Sequence, residues 1–148
     1  MTNPSSIHLL IDLAQLRTDD TARRLGGLTT QCSEIENQLQ VLLQYRDEYC
    51  QRYEESVRNG ISATDWRNFQ EFLAKLDKAI AQQQQALLHA QSGLQAGQQA
   101  WHSARRVLKS YDTLSQRRVR AEREREAKRE QKETDEYASK VVAKDPHR

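Results

Sequence analysis

The sequence is poor in the residues that build compact globular cores or that break helices. Its 148 residues include two cysteines, two prolines and five glycines, and only 6% are aromatic. The hydrophobic share is 36%, below the roughly 45–50% of an ordinary globular domain, which excludes a large enclosed core. The scarcity of proline and glycine leaves long stretches without a helix breaker. This composition is typical of long exposed helices, each with a narrow apolar stripe.

Further absences exclude a disulfide scaffold, a membrane span and a metal centre. Cys32 and Cys50, if they share one helix, lie 18 residues apart, which is roughly 27 Å and too far for a disulfide. No window holds the ~18 consecutive apolar residues of a membrane helix, and the N-terminus does not resemble a signal peptide. Cysteine and histidine form no cluster with ligand spacing. We therefore expect a cytoplasmic protein that does not insert into the membrane and holds no metal.

Charge and motifs argue against an enzyme. The 23 basic and 21 acidic side chains give a formal charge of +2, so the whole chain is not a polycation suited to nucleic acid. The sequence contains no phosphate loop, nucleophile elbow or metalloprotease motif, and its four histidines are scattered. Carboxylates on solvated helix faces have nothing to raise their pKa. We predict no catalytic residue and no cofactor.

One strong break divides the chain. Gly60, after Asn59, can adopt the left-handed conformation that ends a helix. Ser62 can cap the next helix with Asp65 three residues later, and Ile61 and Trp66 stand at the positions of a hydrophobic staple. A start near residue 5 is predicted from Asn3 as a cap before Pro4. The predicted layout is a single domain of residues 1–148, with a first helix at about 5–58, a turn at 59–62, a second helix at about 63–138 and a frayed tail at 139–148.

An apolar heptad repeat runs along both predicted helices. In the first it passes through Ile7, Ile11, Ala14, Thr18, Thr21, Leu25, Leu28, Cys32, Ile35, Leu39, Leu42, Arg46, Tyr49, Tyr53 and Ser56. In the second it passes through Trp66, Phe69, Leu73, Leu76, Ile80, Gln83, Leu87, Ala90, Leu94, Gly97, Trp101, Ala104, Leu108 and Tyr111. Folding back at Gly60 places residues whose numbers sum to about 122 opposite each other, such as Tyr53 with Phe69. The pattern predicts an all-α fold in which two long helices form an antiparallel coiled-coil hairpin, with residues 116–138 overhanging unpaired.

Apolar residues beside the heptad stripe concentrate near the turn. Tyr45 and Phe72 flank the heptad positions Leu42, Tyr49 and Leu76. Exposed aromatic residues in one patch favour a protein contact. Side chains at these positions can equally cover the edge of the core, and the residues alone leave both interpretations open.

The same region resembles a known family. Tyr45-Arg46-Asp47-Glu48-Tyr49, the run from Asn59 to Phe72 and Leu76-Asp77-Lys78-Ala79-Ile80 resemble the flagellar export protein FliJ family, as do the length, the two-helix layout and the charged C-terminal helix. The resemblance implies a soluble component of the bacterial flagellar type III protein export apparatus, which serves flagellum biogenesis, motility and chemotaxis. Such a protein looks like the stalk of a rotary ATPase. It would bind the hexameric export ATPase and promote ring assembly, couple it to the membrane export gate protein, and help escort export chaperones at the inner face of the cell membrane.

The resemblance also implies contact residues. Carried over by position, the family's contact surface for the export gate protein, here called the gate surface, consists of Gln38, Leu42, Tyr45, Tyr49, Phe72, Leu76 and Ala79. At the next position along that surface this chain has Gln83, where the family can carry histidine. We assign the end formed by Ile7–Ala14 and Leu108–Arg129 to the ATPase ring. There an arginine segment, consisting of Arg117, Arg118, Arg120, Arg123 and Arg125, could meet acidic ring residues.

Three alternatives differ from this interpretation. One is the stalk protein of a virulence type III secretion system, which would share the helical layout but depart around the turn. Another is a structural coiled-coil scaffold. The third is a nucleic-acid-binding role for the arginine-rich overhang, but interleaved glutamates nearly neutralise that segment and no aromatic stacking platform accompanies it. We therefore expect no nucleic-acid partner.

Overall fold

The fold consists of two helices joined by a short turn. A computed structural model describes residues 4–144, with side chains described from Ser6 onward. Helix α1 spans Pro4–Arg58 and helix α2 spans Ala63–Lys144, and the described range contains no strand. The predicted all-α antiparallel hairpin is confirmed. The predicted cap at Asn3 and the last part of the predicted tail, residues 145–148, lie outside the described residues.

The turn forms as its sequence predicts. Gly60 has a φ of +86°, which places it in the left-handed region that favours glycine. The N–H of Asn59 donates to the carbonyl of Glu55 at 3.3 Å, and that of Gly60 donates to Val57 at 3.1 Å, so the last turn of α1 closes on itself. The Oγ of Ser62 accepts a hydrogen bond from the N–H of Asp65 at 3.1 Å. Ser62 is therefore the N-cap of α2.

The C-terminal end of α2 lies beyond the predicted one. The helix continues to Lys144, whereas the sequence pattern predicted an end near residue 138 and a frayed segment after it. Residues 139–144 contain no glycine or proline, so nothing interrupts the backbone hydrogen bonds there.

Two compact units make up the chain. The turn unit consists of residues 18–103, and the terminal unit consists of the chain up to Arg17 together with the chain from Ala104 onward. In the turn unit, a core cluster of Leu39, Leu76 and Ile80 is packed against Leu42 and Phe72, among others. Tyr53 stacks on Phe69 with ring centroids 3.6 Å apart, as the predicted register requires.

The terminal unit has its own short core. Ile7, Ala14 and Ala104 are buried there, and Leu108 and Tyr111 are half-buried. All of them are predicted heptad positions. Every residue from Val119 to Lys144 is exposed, whereas Arg118, within the overhang predicted for residues 116–138, is half-buried.

The heptad pattern accounts for the buried residues of both units. Each one, from Ile7 to Ala104, falls on a predicted heptad position, and Thr18 is a buried polar member. Trp66 departs from the pattern, since it is 50% exposed at the first heptad position of α2. The predicted register pairs it with Ser56, whose small side chain covers little of an indole. The stripe therefore stops short of the turn.

Candidate interaction surfaces

Five aromatic rings meet across the two helices of the turn unit, and we call them the aromatic group: Tyr45, Tyr49, Tyr53, Phe69 and Phe72. Tyr49 of α1 lies 4.6 Å from Phe72 and 5.0 Å from Phe69, measured between ring centroids. Tyr45 lies 6.4 Å from Tyr49 and meets Phe72 edge-on at 6.1 Å. These separations fall within the range of favourable aromatic pairs, each worth about 0.5–1.5 kcal/mol beyond area burial. Tyr45 and Tyr49 of α1 are thus fixed in position by ring contacts with the phenylalanines of α2.

The gate surface combines exposed and buried members. Gln38 and Tyr45 are exposed, with Tyr45 at 43%, whereas Leu42, Tyr49, Phe72 and Ala79 are half-buried and Leu76 is buried at 6%. Phe72 packs against the core cluster, as expected of a residue that covers the core edge, while Tyr45 faces solvent and its role as a protein contact stays a prediction. Leu76 belongs to the core and supports the surface from beneath. A partner could contact Tyr45 and Gln38 most directly.

Two shallow depressions flank this aromatic group and include residues that the sequence analysis did not select. One is lined by Asn37, Gln38, Val41, Leu42 and Gln83. Val41 is 66% exposed there and lies outside the heptad stripe. The other lies toward the turn and is lined by Tyr49, Arg52, Tyr53, Ser56, Ile61, Asp65 and Phe69. Val41 lies four residues before Tyr45 and Arg52 lies three residues after Tyr49, so each is one helical turn from a tyrosine, and that spacing could have identified them from the sequence.

Polar side chains cross between the helices on either side of the gate surface. The Nε2 of Gln83 donates to the carbonyl oxygen of Ile35 at 3.1 Å and to the Oε1 of Gln38 at 3.0 Å. The Nε of Arg46 donates to the Oδ1 of Asp77 at 2.6 Å. This hydrogen bond, followed by the charge of Asp77, raises the pKa of Arg46 above its ordinary value. Since such directional contacts are made in one register only, they hold the two helices in the alignment that assembles the aromatic group.

The arginine segment belongs to the terminal unit. Arg117, Arg120, Arg123 and Arg125 are exposed, and Arg118 is half-buried. At 3.6 residues per turn, Arg117, Arg120 and Arg123 point to different sides of α2 from Arg118 and Arg125. The positive charges are therefore distributed around most of the helix circumference instead of forming one stripe.

These surfaces suit binding. Within residues 4–144, no group of His, Cys, Asp or Glu is arranged to hold a metal ion. Over the same residues, neither helix is long and apolar enough to cross a membrane. A flat edge with aromatic and polar side chains can bury area against a protein partner.

Comparison with known proteins links the whole chain to one group. The family model described as "Flagellar FliJ protein" matches residues 4–146. The chain is 31% identical over 146 residues to the flagellar FliJ protein of Salmonella typhi, a match that covers 99% of each chain. It is 30% identical over 146 residues to the flagellar FliJ protein of Escherichia coli (strain K12), again over 99% of each.

Proposed function

This chain belongs to the flagellar FliJ protein family, and we propose that it links the export ATPase to the membrane export gate during flagellar protein export. A role in flagellar export follows from the family, whose members are non-enzymatic flagellar proteins. The family match also favours the flagellar function over the virulence system. The finer proposal has four parts: gate binding, ATPase-ring binding and assembly, escort of export chaperones, and work at the cytoplasmic face of the membrane.

The aromatic group of the turn unit carries the gate-binding part of the proposal. Tyr45 exposes 43% of its surface to solvent, while its ring packs against Tyr49 and Phe72. These contacts restrict the ring to few orientations before any partner binds. A partner that covers such a ring gains apolar burial at little additional ordering cost. Aromatic anchors of this kind often supply much of the binding free energy at a protein interface.

The arginine segment supports the ATPase part. Its five arginines are distributed around most of the circumference of α2, and every residue from Val119 to Lys144 is exposed. A helix that is charged on all sides suits a partner that encloses it, because each side of the helix then meets a wall of the partner. The central opening of a hexameric ring has that geometry, and acidic groups lining it would attract these arginines.

The ATPase part is tested by hydrolysis and ring assembly of the cognate export ATPase. We expect the full chain to stimulate both, and a chain ending at Ser115 to stimulate neither. Triple charge reversal of Arg117, Arg120 and Arg123 to glutamate should have the same effect while leaving helicity by circular dichroism intact. Reversal of three exposed arginines of the turn unit, Arg23, Arg24 and Arg67, is the matched control. Normal stimulation by the first triple variant would contradict this part.

The gate part is tested by titrating the cytoplasmic part of the export gate protein. We expect Tyr45→Ala to weaken binding about tenfold or more, as removal of an interface anchor does. Tyr137→Ala is the matched control, since Tyr137 is 72% exposed on the overhang. Equal binding by the Tyr45→Ala variant and the unmodified chain would contradict the gate assignment without affecting the ATPase part.

A further inference from the structure

The terminal unit carries an apolar surface that its own core leaves uncovered. Four leucines of α1 are exposed outside the heptad stripe: Leu9 at 59%, Leu10 at 37%, Leu13 at 54% and Leu16 at 62%. On α2, Val107 and Leu114 are 45% and 47% exposed. We call these six residues the leucine groove. Folding of the hairpin does not explain them, because a two-helix coil buries only one stripe per helix.

Four of these residues share one side of the helix pair, and Leu9 and Leu16 border that side on the outer face of α1. With the buried Ile7 and Ala14 at heptad position d, Leu10 falls at g, Leu13 at c, and Leu9 and Leu16 at f. Position d is adjacent to g, and c follows g on the same side of the helix, whereas f points away from the partner helix. The apolar surface of α1 therefore extends from the core outward in one direction.

The matching side of α2 is also apolar. With the buried Ala104 at position d, Val107 and Leu114 fall at g. In an antiparallel pair the g positions of the two helices share an edge. Tyr45 and Phe72, both at g within the turn unit, make that contact with ring centroids 6.1 Å apart. Leu10, Val107 and Leu114 therefore line a single edge, the site where a third helix can add to a pair.

Within residues 6–17 and 104–121, the charges on the side of the leucine groove are all positive. On this side, α1 contributes Arg17 at g, and α2 contributes Arg106 and Arg120 at f and Arg117 at c. Residues 6–17 and 104–121 contain two carboxylates, those of Asp12 at position b and Asp112 at position e, both on the opposite side of the pair. The leucine groove thus has an apolar centre with arginines at its borders, and the next carboxylates at position c, Asp20 and Glu124, lie beyond its ends.

We propose that the leucine groove binds an acidic amphipathic helix of another polypeptide. Such a helix would place its apolar stripe on the leucines and its flanking carboxylates against these arginines. A second copy of this chain fits poorly, because a symmetric contact brings the same arginines face to face. The leucine groove overlaps the end that we assign to the ATPase ring and shares Arg117 and Arg120 with it. The inference goes beyond that assignment, because it names the chemistry of the bound segment and does not require the ring to supply it.

The probe for the test is a synthetic helical peptide of about three heptads with leucine at a and d and glutamate at e and g. A second peptide has lysine in place of each glutamate. Both are titrated against the full chain by fluorescence anisotropy. We expect the acidic peptide to bind, and the lysine peptide to bind about tenfold more weakly or not at all.

Two variants locate the binding. Leu13→Gln should weaken binding of the acidic peptide about tenfold. Leu88→Gln should leave binding of the acidic peptide unchanged. Leu88 is 59% exposed, similar to Leu13 at 54%, but it lies in the turn unit. Because both leucines lie outside the core, both variants should retain helicity, and circular dichroism checks this.

Four results would overturn the proposal. They are equal binding of the two peptides, equal loss of binding in the Leu13→Gln and Leu88→Gln variants, no binding of the acidic peptide up to about 1 mM, and a dimer in sedimentation that Leu13→Gln abolishes. Peptide binding without ATPase stimulation would instead support the groove and contradict only the ATPase part of the proposed function.

Discussion

Replacing Gly97 with alanine tests how closely the two helices approach in the turn unit. A Cβ at Gly97 would lie 2.6 Å from the Cδ1 of Leu28 and 3.7 Å from the Cδ1 of Leu25. Ordinary carbon contacts begin at about 3.5 Å, so Leu28 must retreat by about 1 Å. Gly93 offers a matched control on the same helix, since its Cβ would lie 3.9 Å from the Cδ2 of the same leucine.

The change in the free energy of unfolding is the sum of a helix-propensity gain and a steric cost. Alanine gains about 1 kcal/mol over glycine in a helix interior at either position. At Gly97 this gain is offset by about 1 kcal/mol, because the contacting atom ends a flexible side chain that must leave its preferred rotamer. We expect Gly93→Ala to raise the free energy of unfolding by about 1 kcal/mol and Gly97→Ala to leave it nearly unchanged.

Urea and thermal unfolding followed by circular dichroism measure the difference, which corresponds to about 2–4 °C in Tm for a chain of this size. Repeating both substitutions in a Leu28→Ala background completes the test. Without the leucine side chain, the two glycine positions should respond alike. The reasoning is wrong if Gly97→Ala stabilises the unmodified chain as much as Gly93→Ala, or if the difference persists without Leu28.

Two further stability predictions follow from the turn and the aromatic group. Ser62→Ala should lower the free energy of unfolding by about 1 kcal/mol, because the N–H of Asp65 loses its cap, and Ser62→Asp should retain it; equal loss in both variants would contradict the capping role. Phe69→Ala should cost about 3–5 kcal/mol, because Phe69 is 8% exposed and stacks on Tyr53. Tyr45→Ala should cost less than about 1.5 kcal/mol, since Tyr45 is 43% exposed. Comparable losses at Phe69 and Tyr45 in urea unfolding would show that the exposed ring is part of the core.

Much of the fold could be predicted because both helices depend on local signals. Gly60 and Ser62 mark the ends of the helices through backbone conformation and a single side-chain hydrogen bond, which depend on few neighbours. A heptad repeat specifies which residues become buried, and a short turn sets the register. Tyr53 therefore meets Phe69 as the numbering predicts.

The candidate surfaces were less predictable, because a contact surface depends on exposure, and exposure depends on both helices together. The resemblance implies that Leu76 belongs to the gate surface, and the packed pair makes it 6% exposed, in the core cluster against which Phe72 packs. The heptad repeat predicts burial of Ile7, Ile11 and Ala14, but it contains no information on whether Leu9, Leu13 and Leu16 are covered. Only the packed pair leaves them exposed on one side.

The sequence by itself determined the helical class, the position of the turn and the heptad stripe, because each depends on residues close together in the chain. It also determined the family, because the family follows from sequence similarity. The tertiary structure alone decided which side chains each helix covers on its partner. In the packed pair, Leu28 lies nearer than Leu25 to the position of a Cβ at Gly97. The side-chain amide of Gln83 donates hydrogen bonds to Ile35 and Gln38. Tyr45 is exposed, whereas the neighbouring Tyr49 is half-buried. The physical reason is that a side chain's burial and partners depend on the shapes of residues distant in sequence, which no local pattern contains.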